Sequence, residues 1–132
     1  MKIAVVTGAS SGMGLEFAKA IDAEETLDEI WLIARRGDRL EALAKELRAP
    51  ARILTLDLGR PESFEEYKKL LEAEKPLIST LCNAAGFGRF ALFTETELDV
   101  NLAMIDLNDK ALVTMTQLSL PWMKRGSRVI NL

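Results

Sequence analysis

The residues best suited to chemistry lie in one short segment, Thr7-Gly8-Ala9-Ser10-Ser11-Gly12-Met13-Gly14, directly after the apolar run Ile3-Ala4-Val5-Val6. A glycine-rich turn from a strand into a helix lays backbone N–H groups against a pyrophosphate, where the helix dipole favours negative charge. Gly8 would permit the sharp turn, Gly12 would let the backbone approach the phosphates, and Gly14 would let helix and strand pack closely. A second group, Arg35-Arg36, follows the run Ile30-Trp31-Leu32-Ile33-Ala34. A carboxylate at the end of a second strand binds a ribose 2′-hydroxyl, whereas a 2′-phosphate repels carboxylates and attracts arginine. The pair would suit a 2′-phosphate; the competing reading is two solvated arginines at the start of a helix. A charge-assisted bond is worth about 1.5–3 kcal/mol, so one well-placed arginine would favour a ligand carrying that phosphate by about 10- to 100-fold.

Other reactive side chains are few. The chain has no His and one Cys, so neither a metal site nor a disulfide framework is expected. That Cys, Cys82, ends an apolar run and reads as a small buried hydrophobe. The single Tyr, Tyr67, is followed four residues later by Leu71 and reads as packing. Asp57 in Leu56-Asp57-Leu58 has the type and setting of a turn or helix-capping residue. Asn108 interrupts an apolar helix surface between Ile105 and Leu112, and a buried amide there must bond to backbone or trapped water or cost about 1–3 kcal/mol.

Apolar bursts alternate with segments of helical period along the whole chain. Strands are expected at Ile3–Val6, Ile30–Ala34, Arg52–Leu56, Leu77–Cys82 and Ser127–Leu132. Gly14, Phe17, Ala18 and Ile21 mark one helix, and Leu40, Leu43, Ala44 and Leu47 a second, closed by Pro50. Pro61 suits the first turn of a third, with Phe64, Tyr67 and Leu71 inward. A long fourth is expected over about Glu97–Lys124, with Leu98, Leu102, Ile105, Leu112, Met115 and Trp122 on its buried side and Gly126 ending it. Such alternation calls for a parallel sheet with right-handed crossovers and helices on both faces, in a single α/β domain over residues 1–132.

Composition narrows the partners. Apolar residues make up 48% and charged ones 28%, a globular balance. A net charge of −3 points away from nucleic acid and from an anionic membrane. The apolar run at the amino terminus is too short for a signal-peptide core and no stretch approaches a membrane span, so a cytoplasmic protein is expected.

The spacing G-x-x-x-G-x-G, with Thr7 and Ser10-Ser11, resembles the signature of the classical short-chain dehydrogenase/reductase family; the extended branch usually carries G-x-x-G-x-x-G. The resemblance implies a Rossmann-type, doubly wound parallel sheet of about five strands in the order 3-2-1-4-5. It implies a nicotinamide dinucleotide on Thr7, Gly8, Ser10, Ser11, Gly12, Met13 and Gly14. Ala34 stands where NAD-preferring members carry Asp, so Arg35 and Arg36 resemble a 2′-phosphate clamp; some NADP-preferring members add a basic residue where Ser11 stands. Asp57-Leu58 resembles the family's adenine-contacting pair, a role that stands beside the turn reading of Asp57. Asn83-Ala84-Ala85-Gly86 resembles the family's Asn-Asn-Ala-Gly, whose leading Asn ties the central strand and whose small residues admit the cofactor. Asn108, in Ile105-Asp106-Leu107-Asn108, matches the Asn of the family's catalytic set, which holds a water linked to the catalytic Lys; a purely structural role is the alternative.

By the same resemblance, reduction of a carbonyl by NADPH needs a Ser after the fifth strand and a Tyr-x-x-x-Lys on the next helix, and neither is present. The expectation is therefore the cofactor-binding portion of an oxidoreductase, truncated after the fifth strand and inactive alone. The alternatives are a non-catalytic NADP(H)-binding module and a remnant without nucleotide. Self-association through the fifth-strand edge or the long helix is expected. Phe87-Gly88-Arg89-Phe90 reads as ordinary loop packing, with a place at a pocket entrance as the other possibility.

Overall fold

The computed structural model describes residues 1–132. Strands β1 (Lys2–Thr7), β2 (Glu29–Ala34), β3 (Ala51–Thr55) and β4 (Leu77–Asn83) alternate with helices α1 (Gly12–Glu24), α2 (Gly37–Ala44) and α3 (Pro61–Glu74). Then come α4 (Leu98–Ile105), a π-helical turn (Asp106–Lys110), α5 (Ala111–Ser119) and the last strand, β5 (Arg128–Asn131). The sheet is parallel throughout, in the order β3-β2-β1-β4-β5.

Near-continuous apolar runs suit strands covered on both faces. In β1, Ile3 and Val5 face one way and Ala4 and Val6 the other, and all four are fully buried. Ala4 and Val6 join Ile30, Leu32 and Cys82 beneath Ala18, Ile21, Leu40 and Leu43 of α1 and α2. Ile3 and Val5 join Trp31, Ile33 and Leu81 beneath Tyr67 and Leu71 of α3 and Ala111 and Met115 of α5. Helices therefore cover both faces of the sheet. No helix is long and apolar enough to cross a membrane.

The second helix is shorter than its apolar spacing suggests. α2 stops at Ala44, and Leu47 lies half-buried in the turn that follows, its N–H donating to the Ala44 carbonyl. The fourth helix departs further. Leu98, Leu102 and Ile105, expected on the buried side, are 71%, 50% and 47% exposed. The π turn is the physical reason: its wider turn resets the helical register. The stripe of α4 therefore does not continue into α5, where Met115 is buried as expected, with Ala111 and Ser119 beside it, and Trp122 packs against the same core. The helix also ends early, passing at Ser119 into a 3₁₀ turn (Leu120–Trp122) that contains Pro121, and Gly126 (φ 97°) turns the chain into β5.

Candidate functional site

β1 connects outward to β2 and β3 on one side, and the chain then crosses to β4 on the other. This reversal leaves a crevice at the carboxyl ends of β1 and β4. A cleft of about 350 Å³ opens there. Its lining brings Gly8, Ser10, Ser11, Gly12, Met13 and Gly14 together with Arg35 and Arg36 after β2, Asp57 and Leu58 after β3, and Ala84, Ala85 and Gly86 after β4. Ile33, Ala34, Leu56 and Leu107 complete the wall. The first three could have been found as the carboxyl-end residues of their strands; Leu107 was hidden by the change of register at the π turn.

The glycine loop is fixed by close contacts. Gly8 has φ 64°, and a Cβ there would meet the Ala84 carbonyl oxygen at 2.6 Å. A Cβ at Gly14 would collide with the Gly8 carbonyl oxygen, so helix α1 packs directly onto the turn. Gly12 (φ 57°) is different: nothing lies within 4 Å of a Cβ placed there. Ser11 caps α1 without a side-chain hydrogen bond, and no acidic residue stands in the first turn. The N–H groups of Gly12, Met13 and Gly14 have no backbone acceptor, which leaves the positive end of the helix bare beside the cleft.

Thr7 lies behind this lining. Its Oγ1 accepts from the N–H groups of Ala84 (3.1 Å) and Ala85 (3.0 Å), tying the loop after β1 to the loop after β4. Asn83 is also behind it, with its Nδ2 donating to Thr116 Oγ1 and Asn131 Oδ1, each at 3.0 Å. It thereby joins β4 to α5 and β5, while its own Oδ1 is buried without a partner.

Arg35 and Arg36 are exposed at the cleft rim and belong to none of the chain's ion pairs. Asp57 makes an Asx turn, its Oδ1 accepting from Gly59 N–H at 2.9 Å, while Oδ2 lies 3.6 Å from Arg60 Nε. Leu58 is buried in the core cluster and reaches the cleft only with part of its surface.

Asn108 sits outside the cleft, on the π turn. Contrary to the sequence expectation, it is an exposed residue, because the reset register turns it away from the sheet. Its amide is nonetheless engaged at both ends: Nδ2 donates to the Phe87 carbonyl and Oδ1 accepts from Phe87 N–H, both at 2.8 Å. A Cβ on Gly86 would meet that Oδ1 at 2.6 Å. Phe87 to Phe90 do not pack as an ordinary loop would: Phe87 is 42% exposed and Phe90 wholly so. Tyr67 is fully buried, within 2.9 Å of Ser119 Oγ, and burial pushes its phenol well above the usual tyrosine range.

Comparison with known proteins agrees with this geometry. The family model for short chain dehydrogenase matches residues 2–132. An uncharacterized oxidoreductase of Staphylococcus epidermidis is 31% identical over 133 residues, 99% of this chain but 57% of that protein. A dehydrogenase/reductase SDR family protein 7-like of Drosophila melanogaster is 33% identical over 134 residues, 96% of this chain and 40% of that one. The chain thus spans about half the length of the curated relatives it matches. Among solved structures, an alcohol dehydrogenase from Thermococcus sibiricus complexed with 5-hydroxy-NADP superposes with a TM-score of 0.82 at 30% identity, covering 92% of this chain and 52% of its own. A short-chain dehydrogenase from Sphingobium yanoikuyae in complex with NADPH gives 0.81 at 29% identity, covering 92% and 48%. With the sheet order, the glycine turn and the family match in agreement, the chain belongs to the short-chain dehydrogenase/reductase family.

Proposed function

We propose that the cleft holds NADP(H) and that these residues form the cofactor-binding portion of an oxidoreductase acting on a carbonyl or alcohol. One observation carries the choice of cofactor. Two unpaired arginines, Arg35 and Arg36, stand at the cleft rim after a strand that ends in Ala34 rather than an acid. The residues present fit the group, because the free N–H groups at the start of α1 face the same cleft and Gly12 leaves its approach open.

When bound, the nicotinamide gives or takes a hydride. The chain's own residues bind and orient. Gly12, Met13 and Gly14 offer N–H donors to the pyrophosphate, while Ser10 and Ser11 add hydroxyl donors. Arg35 and Arg36 hold the 2′-phosphate. The Asp57 carboxylate keeps lone pairs free beside its Asx turn for the adenine amine, and Leu58 flanks the ring. Ala84, Ala85 and Gly86 give close approach on the nicotinamide side, on a floor held by Thr7 and Asn83. Asn108 fixes Phe87 at the edge of that floor.

A second reading, a nucleotide-binding module without catalysis, draws support from Tyr67: the chain's one phenol is buried and unable to reach a substrate. Titration with NADPH and NADH, followed by cofactor fluorescence, tests the cofactor reading. Arg35→Ala is expected to weaken NADPH by about 10-fold or more and leave NADH nearly unchanged; equal losses for both would sink the clamp. Carbonyl-dependent NADPH oxidation by these residues alone would refute the module and reveal a proton donor other than Tyr67.

A further inference from the structure

The sulfur atoms of the chain differ widely in access. Of its 5 methionines, Met115 is fully buried and Met104 and Met123 are half-buried. Met1, 44% exposed, lies at the amino end of the sheet, where its carbonyl accepts from Leu77 N–H. Met13 is the most exposed, at 65%. The one thiol is no competitor: Cys82 is fully buried, and burial pushes its pKa up to about 11. A buried, protonated thiol is inert to oxidants that attack thiolate.

Met13 also stands where a change of polarity matters. It is the second residue of α1 and lines both the nucleotide cleft and a hollow of about 800 Å³ between α1 and α2. Its N–H is one of three at the start of α1 without a backbone acceptor, and neither the Ser11 side chain nor a first-turn carboxylate caps that end. A thioether, being only a weak acceptor, leaves those donors to a ligand. A sulfoxide does not. It is polar, and its oxygen stands as far from Cβ as the side-chain oxygen of glutamine. Glutamine in the first turn of a helix reaches back to just such N–H groups.

We propose that Met13 is an oxidation-sensitive site at the mouth of the nucleotide cleft, and that its sulfoxide caps the start of α1 in place of the pyrophosphate. This rests on the nucleotide reading of the cleft, whichever nicotinamide dinucleotide it holds. The oxidant is a peroxide. The Met13 sulfur gives two electrons to one peroxide oxygen, and an S–O bond forms as the O–O bond breaks. The proton of the transferred oxygen passes to the other, which leaves as water; sulfur is oxidised and the peroxide reduced. Bound nucleotide occupies the same donors and covers the Met13 side of the cleft, so nucleotide and oxidant oppose one another.

The test treats the whole chain with hydrogen peroxide, with and without saturating NADP+, and locates added oxygen by peptide mass. Met13 is expected to take up oxygen, and NADP+ to slow that uptake. Titration of the oxidised chain with NADPH should give a dissociation constant weaker by about 10-fold or more, because a donor to the anion is lost, and methionine sulfoxide reductases should restore it. Met13→Gln, without any oxidant, should bind NADPH more weakly than Met13→Leu by a similar factor. Met13→Leu, whatever its own affinity, should lose none of it to peroxide. A Met13 that stays unmodified while other methionines take up oxygen would overturn the proposal and leave the nucleotide reading intact. So would an oxidised Met13 with unchanged NADPH affinity, Gln and Leu variants that bind alike, or a Met13→Leu chain that still weakens under peroxide. An untreated chain that binds neither NADPH nor NADH would end the nucleotide reading, and the proposal with it.

Discussion

At the scale of single residues, three glycines of one loop differ in what they do. Gly14 has ordinary helical backbone, where alanine would normally be favoured by about 1 kcal/mol. The collision of a new methyl with the Gly8 carbonyl oxygen reverses that sign, because both partners are backbone and neither has a rotamer to yield. Gly12 is the opposite case, with open space around it and a left-handed φ of 57°. Gly14→Ala is therefore expected to cost about 3 kcal/mol, and Gly12→Ala only about 1–2 kcal/mol. Thermal unfolding of the two variants checks this; equal drops in Tm would show that the loop yields. Gly12→Ala should still weaken nucleotide binding, since its methyl stands in the approach to the free N–H groups. Alternating hydrophobicity carries none of this information. The glycine spacing points to the turn, but the partners that make Gly8 and Gly14 irreplaceable come from the loop after β4 and from the turn itself.

At the scale of elements, the strands were legible because a strand buried on both faces must be apolar throughout, as Ile3–Val6 and Ile30–Ile33 are. The register of the fourth helix was not, because one π turn parts the exposed stripe of α4 from the buried face of α5 and carries Asn108 out of line. Polar ties between elements were equally silent. Asp22, buried in α1, accepts from the N–H groups of Arg48 (2.8 Å) and Ala49 (2.9 Å) ahead of β3. Glu25, at the carboxyl end of α1 where the dipole disfavours a carboxylate, accepts from Ser79 (2.6 Å), Thr80 (2.5 Å) and Arg128 (2.5 Å). It thereby joins α1, β4 and β5. Burial alone would raise its pKa, but the hydrogen bonds from Ser79, Thr80 and Arg128 and the Arg128 charge hold it below the usual glutamate range. A carboxyl with a lower pKa folded than unfolded adds stability above the unfolded value and loses it as pH falls through the folded one. Urea unfolding between about pH 6 and pH 3 should then show wild type losing stability more steeply than Glu25→Gln, which is weaker by about 1–2 kcal/mol near neutrality. Parallel pH profiles would mean that the carboxylate is not coupled to folding.

At the scale of the whole molecule, the two core clusters lie on the two faces of one sheet, so a single cooperative unfolding transition is expected. Two features remain outside that core. β5 is an edge strand of 4 residues, with Val129 39% exposed between Arg128 and Ile130. The stripe Leu98, Leu102 and Ile105 of α4 is longer and more exposed, and Phe90, Leu92 and Phe93 lie bare on the segment leading into it. Edges are blunted by short strands and charged side chains, and Arg128 and the brevity of β5 act in that sense. The apolar face of α4 has no such protection. Self-association is therefore expected to run mainly through α4. Light scattering at micromolar concentration should give a dimer or larger species for wild type. Leu102→Lys combined with Ile105→Lys should shift it to monomer, because both positions are exposed and the charges would be solvated in the free chain yet desolvated in the contact. Val129→Lys should change the mass little. A wild type that is monomeric throughout would remove the expectation, and a monomer produced by Val129→Lys alone would move the contact from the helix to the sheet edge.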